Sequence, residues 1–248
     1  MKKIFSFILA LALCTGNAMA FEFENEPEAG LSWMGFFGMN ISKIQNSGYG
    51  AKAGAQMGIR ADFMLPKAHG TYLTAGVDWT MKGGKVSDMF FSINDPTTAY
   101  SGTLKYALHY IEVPIRVGFR YNVMDNLGFY GELGPYFAVG VGGRHRCNID
   151  GDGDAVRDAE DELDYNAFKN YDFDPGNPNK LPFQRWDAGI GFRIGAEYEQ
   201  HYNLMIGCDW GFADIYRTSL RDDYFDNVGM SLPKVKNFNF SITVGYRF

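Results

Sequence analysis

The chain has 248 residues and a formal net charge of −6; 46% of its residues are hydrophobic, 16% are aromatic and 30 are glycines. This acidic balance argues against nucleic acid as a partner, because the phosphates of nucleic acid require a basic surface. We expect one domain, since β architectures of this length often form a single unit.

The N-terminus has the pattern of a secretory signal peptide. Two lysines precede the apolar run Ile4–Leu13, and a small-residue A-x-A motif ends at Ala20. The run is too short to cross a bilayer as a helix. We predict a signal peptide over residues 1–20 and a mature barrel domain over residues 21–248. A lipoprotein signal with Cys14 as the lipidated residue is the alternative, and the bulky leucine before that cysteine disfavours it.

After an acidic lead-in, Phe21–Gly30, apolar and polar residues alternate with a period of two. In Ala51–Leu65, seven apolar residues fall on one side and Lys, Gln, Arg and Asp on the other. Such alternation predicts strands with one apolar and one polar face. Eight segments follow this pattern: Leu31–Ile44, Ala51–Leu65, Thr71–Lys82, Tyr110–Tyr121, Leu127–Gly142, Arg185–Tyr198, Tyr202–Asp214 and Asn237–Phe248.

The connections between these strands alternate in length. Three are tight turns: Pro66–Gly70, Asn122–Asn126 and Glu199–His201. Three are long surface loops, at about Gly83–Thr103, Gly143–Gln184 and Ile215–Lys236, and only the short first link, Gln45–Gly50, departs from the pattern. Outer-membrane barrels have an even strand number, short periplasmic turns and long outer loops. We predict an all-β, eight-stranded antiparallel up-and-down transmembrane β-barrel in the outer membrane of a Gram-negative bacterium, with both termini in the periplasm.

The predicted outer faces contain aromatic residues that suit the membrane interfaces. They are Trp33, Trp79, Trp186, Trp210 and Phe248. We therefore expect outer-membrane lipid to cover the barrel. The chain ends in Phe248 after alternating outward aromatics, an ending similar to the strand that the barrel-assembly machinery recognises. This machinery is therefore an expected partner.

The string YIEVPIRVGFRY at Tyr110–Tyr121 resembles a strand of the PorT-like outer-membrane β-barrel family of Bacteroidetes-type bacteria. Its most specific residues are Tyr110, Glu112 and Pro114. The resemblance implies a small eight-stranded barrel. The family's namesake is similar to a protein needed for secretion, but the matching motif is structural and implies no secretion role here. Pro114 lacks the N–H that a central strand uses, which predicts a bulge or bend.

Fourteen charged residues fall on the polar faces of the predicted strands, seven basic and seven acidic. They are Lys52, Arg60, Asp62, Asp78, Lys82, Glu112, Arg116, Arg120, Glu132, Asp187, Arg193, Glu197, Asp209 and Arg247. An eight-stranded barrel is only wide enough for its own side chains, and buried charges must be paired. We predict a salt-bridge network that closes the lumen; a narrow gated ion path through the same charges is the alternative.

The predicted loop 143–184 contains alternating carboxylates and glycines, a pattern that can wrap a hard cation such as Ca²⁺. The candidate ligands are Asn148, Asp150, Asp152 and Asp154. Counted from Asn148, the twelfth position is Ala159, where a calcium loop has a bidentate glutamate. A solvated acidic loop without metal is the alternative, and no other cofactor is expected.

Catalysis at the outer rim would need a histidine near a carboxylate and a nucleophile. His69 and His201 fall in turns and His145 in a loop base, while His109 lies near Glu112 in sequence but on the lipid side. We therefore expect no enzyme. The leading hypothesis is a membrane anchor and surface-interaction module whose long loops make the contacts. A narrow pore or secretion-apparatus component is the second hypothesis, and a lipid-active enzyme centred on His109 is the third.

Overall fold

The computed structural model describes residues 30–66, 68–92, 99–169 and 181–248. The predicted signal peptide, residues 1–20, and the lead-in as far as residue 29 lie outside the described residues. Nine strands are described: β1 Gly30–Gln45, β2 Lys52–Met64, β3 Thr71–Ser92, β4 Ala99–Met124, β5 Leu127–Ile149, β6 Tyr165–Asn166, β7 Trp186–Tyr198, β8 Tyr202–Gly211 and β9 Lys236–Arg247. Two helices, α1 Asp154–Leu163 and α2 Thr218–Val228, lie between them.

Eight of the strands form a closed ring. Each pairs antiparallel with its neighbour along the chain, and β1 also pairs with β9. The two-residue strand β6 pairs only with the outer part of β5. This arrangement confirms the predicted eight-stranded antiparallel up-and-down barrel. We call the side with the tight β2–β3, β4–β5 and β7–β8 turns the turn end, and the opposite side the loop end.

The stagger of the strands sets the width of the barrel. A path through cross-strand partners that starts at Tyr121 and runs once round the ring returns to β4 at Ile111, ten residues nearer the loop end. Strands in closed barrels tilt by about 35–45°, and eight of them leave an interior that side chains can fill.

The outer surface carries a continuous apolar band. Phe37, Ile59, Val117 and Phe137 are 66%, 60%, 54% and 57% exposed, although they belong to residue types that normally form cores. On β4 the outward residues from Tyr121 to Ile111 are all apolar or aromatic. Those ten residues rise by roughly 24 Å in a strand tilted by about 45°, close to the roughly 25 Å band of outer-membrane barrels.

The three long loops contain more regular structure than the sequence predicts. β3 continues to Ser92 and β4 starts at Ala99, so most of the predicted loop Gly83–Thr103 is an extended ribbon with a bulge between Val86 and Met89. The ribbon is stabilised by a small apolar cluster at the loop end. This cluster consists of Cys147, Ile149 and Val156 packed with Phe91, Tyr100, Leu104, Ala159 and Leu163.

The other two predicted loops are corrected in the same way. The segment 143–184 begins as the end of β5, continues into α1 and then forms β6, while residues 170–180 lie outside the described residues. The segment 215–236 contains α2. Among the described residues, no helix is long and apolar enough to span a membrane.

Pro114 does not produce the predicted bulge. Its register with Tyr136 on β5 is kept, and the nearest shift lies between His109 and Tyr110. On the β3 side the pairs opposite Val113 and Pro114 are missing, with the same register before and after the gap. The ladder therefore opens locally where the proline has no N–H to donate, and no residue is inserted.

Candidate functional site

Inside the barrel, thirteen of the fourteen charged residues predicted to face inward are buried, and none of these residues is more than 6% exposed as a whole. They meet at three levels along the barrel axis. The level at the turn end contains two arginines and two carboxylates. Arg247 lies 2.6 Å from Asp62 and 2.7 Å from Glu197, and Arg120 lies 3.5 Å and 3.7 Å from the same two carboxylates. The four groups therefore form a charge-balanced ring across the lumen.

The middle level is organised around Asp209. Arg193 donates two parallel hydrogen bonds to this carboxylate, at 2.8 and 2.9 Å. Arg116 approaches the same carboxylate at 3.6 Å. Among the described residues, the three guanidinium nitrogens of Arg116 have no hydrogen-bond partner, so Asp209 is its main compensation. One carboxylate thus stabilises two buried cations.

The other half of the middle level is built on Arg60. Its guanidinium lies 3.4 Å from Glu132 and 3.9 Å from Asp78, and its carbon atom Cζ lies 4.4 Å above the ring of Phe36. The hydroxyl of Tyr72 donates a 2.8 Å hydrogen bond to Glu132. Cation–π contact and the tyrosine hydroxyl replace part of the hydration that these charges lose on burial.

The upper level has one cation between two carboxylates. The ammonium group of Lys82 lies 2.6 Å from Glu112 and 3.1 Å from Asp187, and also 4.5 Å from the ring centre of Tyr136. Asn237 donates a 2.9 Å hydrogen bond to Asp187. The amide hydrogen bond stabilises Asp187 and the aromatic ring stabilises the ammonium group, so this level holds one cation for two carboxylates.

Inward-facing glycines give these long side chains room. A Cβ atom at Gly118 would overlap the ring of Tyr72, and one at Gly207 would overlap the side chain of Arg193. Small residues opposite large ones let charged and aromatic groups cross the narrow lumen. This explains the glycines that the sequence places beside large polar residues.

Beyond the upper level, segments of the loop end fold over the mouth of the barrel. We call this buried cluster the aromatic cover; it consists of Ile44, Tyr106, Leu108, Tyr110, Tyr136, Ala138, Tyr165, Ala167, Phe168, Phe183, Ile215, Tyr216, Leu220, Leu232 and Val235. Phe183 stacks on Tyr216 with ring centres 5.3 Å apart and contacts Tyr106 at 4.7 Å. Phe168 lies against Gly140 and Gly143. Tyr110 and Tyr136 of this cluster also contact the ammonium group of Lys82, so the aromatic cover packs directly on the upper level.

Polar links tie the aromatic cover to the barrel wall. Nδ1 of His145 lies 2.7 Å from the carbonyl oxygen of Leu163, which can only accept, so this nitrogen carries the proton. Burial raises the pKa of Tyr49 to about 12. Its hydroxyl therefore stays protonated and can donate to Nε2 of His145, 3.0 Å away. The imidazole joins the β1–β2 link to the end of α1.

Three predicted candidates are not brought into a site. Asn148, Asp150, Asp152 and Asp154 are exposed along the end of β5 and the start of α1. Among the described residues, no group of three or more His, Cys, Asp or Glu side chains is placed to hold a metal ion, and the calcium site stays a prediction. His109 stacks on Trp79 on the outer face, ring centres 5.5 Å apart, whereas Glu112 points into the lumen. Lys52, predicted to face inward, lines a cleft on the outer surface.

Sequence reasoning missed the aromatic cover entirely. Phe168, Phe183 and Tyr216 are large aromatic residues within mostly polar segments. These residues could have indicated a folded cover, because large aromatic side chains in a loop exposed to water would have no packing partner.

A protein-family model agrees with this architecture. The model of the family described as outer membrane protein beta-barrel domain matches residues 6–248. A comparison with curated proteins found no match. Similar solved structures include Ail, the attachment invasion locus protein of Yersinia pestis, with 12% identity over 89% of this chain and 100% of that chain, and a TM-score of 0.38.

Two further solved structures are similar at the same level. Neisserial surface protein A shares 14% identity over 88% of this chain and 99% of that chain, with a TM-score of 0.41. OprG from Pseudomonas aeruginosa shares 12% identity over 90% of this chain and 98% of that chain, with a TM-score of 0.35. Because the family model spans nearly the whole sequence, this chain belongs to the outer membrane protein beta-barrel domain family.

Proposed function

We propose that this protein is a non-conducting, non-enzymatic outer-membrane barrel that anchors a folded interaction surface at its loop end. The observation that supports this most directly is the combination of three levels of buried ion pairs with an aromatic cover over the mouth. A barrel used only as a rigid base needs no water path, so its interior is free to be filled by structural pairs.

The closed lumen is part of this proposal. A conducting path would have to pass the ring of Asp62, Arg120, Glu197 and Arg247, whose side chains are at most 7% exposed. Moving them aside would break buried ion pairs, which is costly because the separated charges remain out of water. In this proposal the lumen charges therefore have a structural role: their ion pairs hold the strands together across the barrel.

We also infer the orientation and the processing of the chain. Short turns face the periplasm in outer-membrane barrels, so both termini are placed in the periplasm and the aromatic cover at the cell surface. Residues 1–20 are removed on export, and the strand that ends at Phe248 engages the barrel-assembly machinery. The narrower assignment to PorT-like barrels rests on the YIEVP string and stays a prediction.

Single-channel recording in a planar bilayer tests the proposal. The refolded protein is expected to give no ion steps, while heat-modifiable migration of the same sample shows that the barrel has folded. Insertion is checked separately by flotation of the reconstituted vesicles. Reproducible steps that disappear on heat denaturation would establish an open path and overturn the closed lumen.

A further inference from the structure

A row of cations crosses three strands on the outer face near the loop end. Lys105 on β4 is the direct cross-strand partner of Lys85 on β3 and of Arg146 on β5. Arg144 lies two residues before Arg146 on the same face. Lys52, Lys105, Arg144 and Arg146 line one cleft of about 520 Å³. We call these five residues the basic patch.

The cations of the basic patch are not paired with described carboxylates. In the part of the chain that the structure describes, none of its five side chains forms an ion pair with a carboxylate. Asp161 and Asp164 line a second cleft with Arg144, and Asp164 accepts a hydrogen bond from the backbone N–H of Cys147. Like charges directly opposite each other destabilise a sheet. An external anion would relieve this repulsion.

The basic patch lies on the loop-end side of the apolar band. Lys105 is six residues past Ile111, the last residue of the band on β4, which places it roughly 14 Å above that level in a strand tilted by about 45°. Ala107 and His109 lie between them and form the lower wall of the cleft. A bilayer's polar headgroup region begins at the edge of its hydrocarbon core. That region is roughly 5–8 Å deep on each side of the core. His109, two residues past Ile111, therefore lies at headgroup height, and the side chains of Lys105 and Arg146 line the same cleft above it.

The two ends of the barrel differ in charge. Among the described residues at the turn end, the outward positions near the membrane edge are aromatic or aliphatic, as at Tyr121, Tyr198 and Phe248, and the turns contain Asp125 and Glu199. Among the described residues, the cations next to the apolar band are thus concentrated at the loop-end edge. Such asymmetry suits a bilayer with anionic headgroups in the leaflet at the loop end.

We propose that the basic patch binds the phosphate groups of an anionic glycolipid of the outer leaflet, with the lipid's acyl chains against the apolar band below Ala107. The inference rests on the proposed orientation, which places the loop end at the cell surface. Lys85, Lys105 and Arg146 supply the charges, and His109 stacked on Trp79 forms the floor of the headgroup cleft. The lipid would help to hold this face of the barrel at a fixed depth.

The test measures binding of fluorescently labelled diphosphoryl lipid A to the refolded full chain in detergent, by anisotropy. The double variant Lys105→Gln/Arg146→Gln is expected to bind about 25-fold more weakly, because each cation near an anionic surface contributes appreciably to binding. The matched control Lys234→Gln/Arg157→Gln removes one exposed lysine and one exposed arginine elsewhere on the loop end. We expect the control to bind like wild type.

Competition separates a lipid headgroup from free phosphate. Unlabelled diphosphoryl lipid A should displace the probe better than the monophosphoryl form, and inorganic phosphate should displace it poorly. The proposal would be overturned if the patch variant bound lipid A as tightly as wild type, or if the control lost as much affinity as the patch variant. It would also be overturned if inorganic phosphate displaced the probe at the concentrations at which unlabelled lipid A does. Heat-modifiable migration shows that every variant is folded. Binding in detergent does not depend on orientation or conductance, so failure here is distinct from failure of the proposed function.

Discussion

Replacing Asp209 by asparagine should destabilise the barrel strongly. The side chain is almost isosteric, but the change removes the charge that faces Arg193 at 2.8 Å and Arg116 at 3.6 Å. Asp209 itself is 1% exposed. Neither guanidinium can reach water in exchange, so the variant leaves two buried cations short of compensation.

The expected cost follows from this geometry. Removing one partner of a buried ion pair typically costs about 3–5 kcal/mol, because an uncompensated charge stays in a medium of low dielectric constant. We expect the upper part of that range, since Arg116 has no hydrogen bond to a described residue. A neutral amide can still accept one hydrogen bond from Arg193, which keeps the loss within the range.

Urea-induced unfolding from phospholipid vesicles, followed by tryptophan fluorescence, measures the free energy of unfolding. Asp154→Asn is the matched control, because it removes the same charge from an exposed pair with Arg157 at 3.6 Å, whose side chains are 97% and 78% exposed. Exposed pairs contribute little, so this variant should unfold like wild type. A loss below about 1 kcal/mol for Asp209→Asn would refute the view that the lumen charges depend on each other.

Two further variants test packing. Phe168→Ala should destabilise the packing of the loop end by about 3 kcal/mol, because it leaves a cavity over Gly140. We expect faster trypsin cleavage at the loop end while heat-modifiable migration is retained. Unchanged cleavage would contradict this prediction. Gly118→Ala should lower the free energy of unfolding by about 1–3 kcal/mol through overlap with Tyr72. Gly131→Ala is its control, since a Cβ atom there meets its nearest neighbour only at 3.9 Å. Equal stability of the two glycine variants would show that the ring of Tyr72 can move aside.

The alternation of side chains was enough to predict the barrel and its two faces. In β2 the sequence places Met57 and Ile59 outward and Arg60 and Asp62 inward, and the structure shows 52% and 60% exposure for the first two against 1% and 2% for the others. A period of two is a local property of the strand, so a single sequence can reveal it. The alternating lengths of the connections then predicted that the strands follow one another in an up-and-down order.

The regular structure at the loop end was not predictable in the same way. In β4 before the membrane band the alternation has the opposite sense: Tyr106 and Leu108 are buried inside, and Lys105 lies on the outer face. A search for strands with an apolar outer face therefore does not find this part of the ribbon. Its strands persist because they pair with each other and pack on Ile149 and Val156. The basic patch was missed for the same reason, since Lys85 and Arg146 lay in segments interpreted as loops.

By itself, therefore, the sequence determined the strands, their inner and outer faces and the even, closed barrel, because these depend on the spacing of neighbouring residues. Only the tertiary structure decided which charges meet. Arg247 and Asp62 are 185 positions apart in the chain, yet they lie 2.6 Å apart. Their contact depends on the ten-residue stagger and on ring closure. The aromatic cover likewise forms only when segments from distant loops converge over one opening, and no local pattern encodes that convergence.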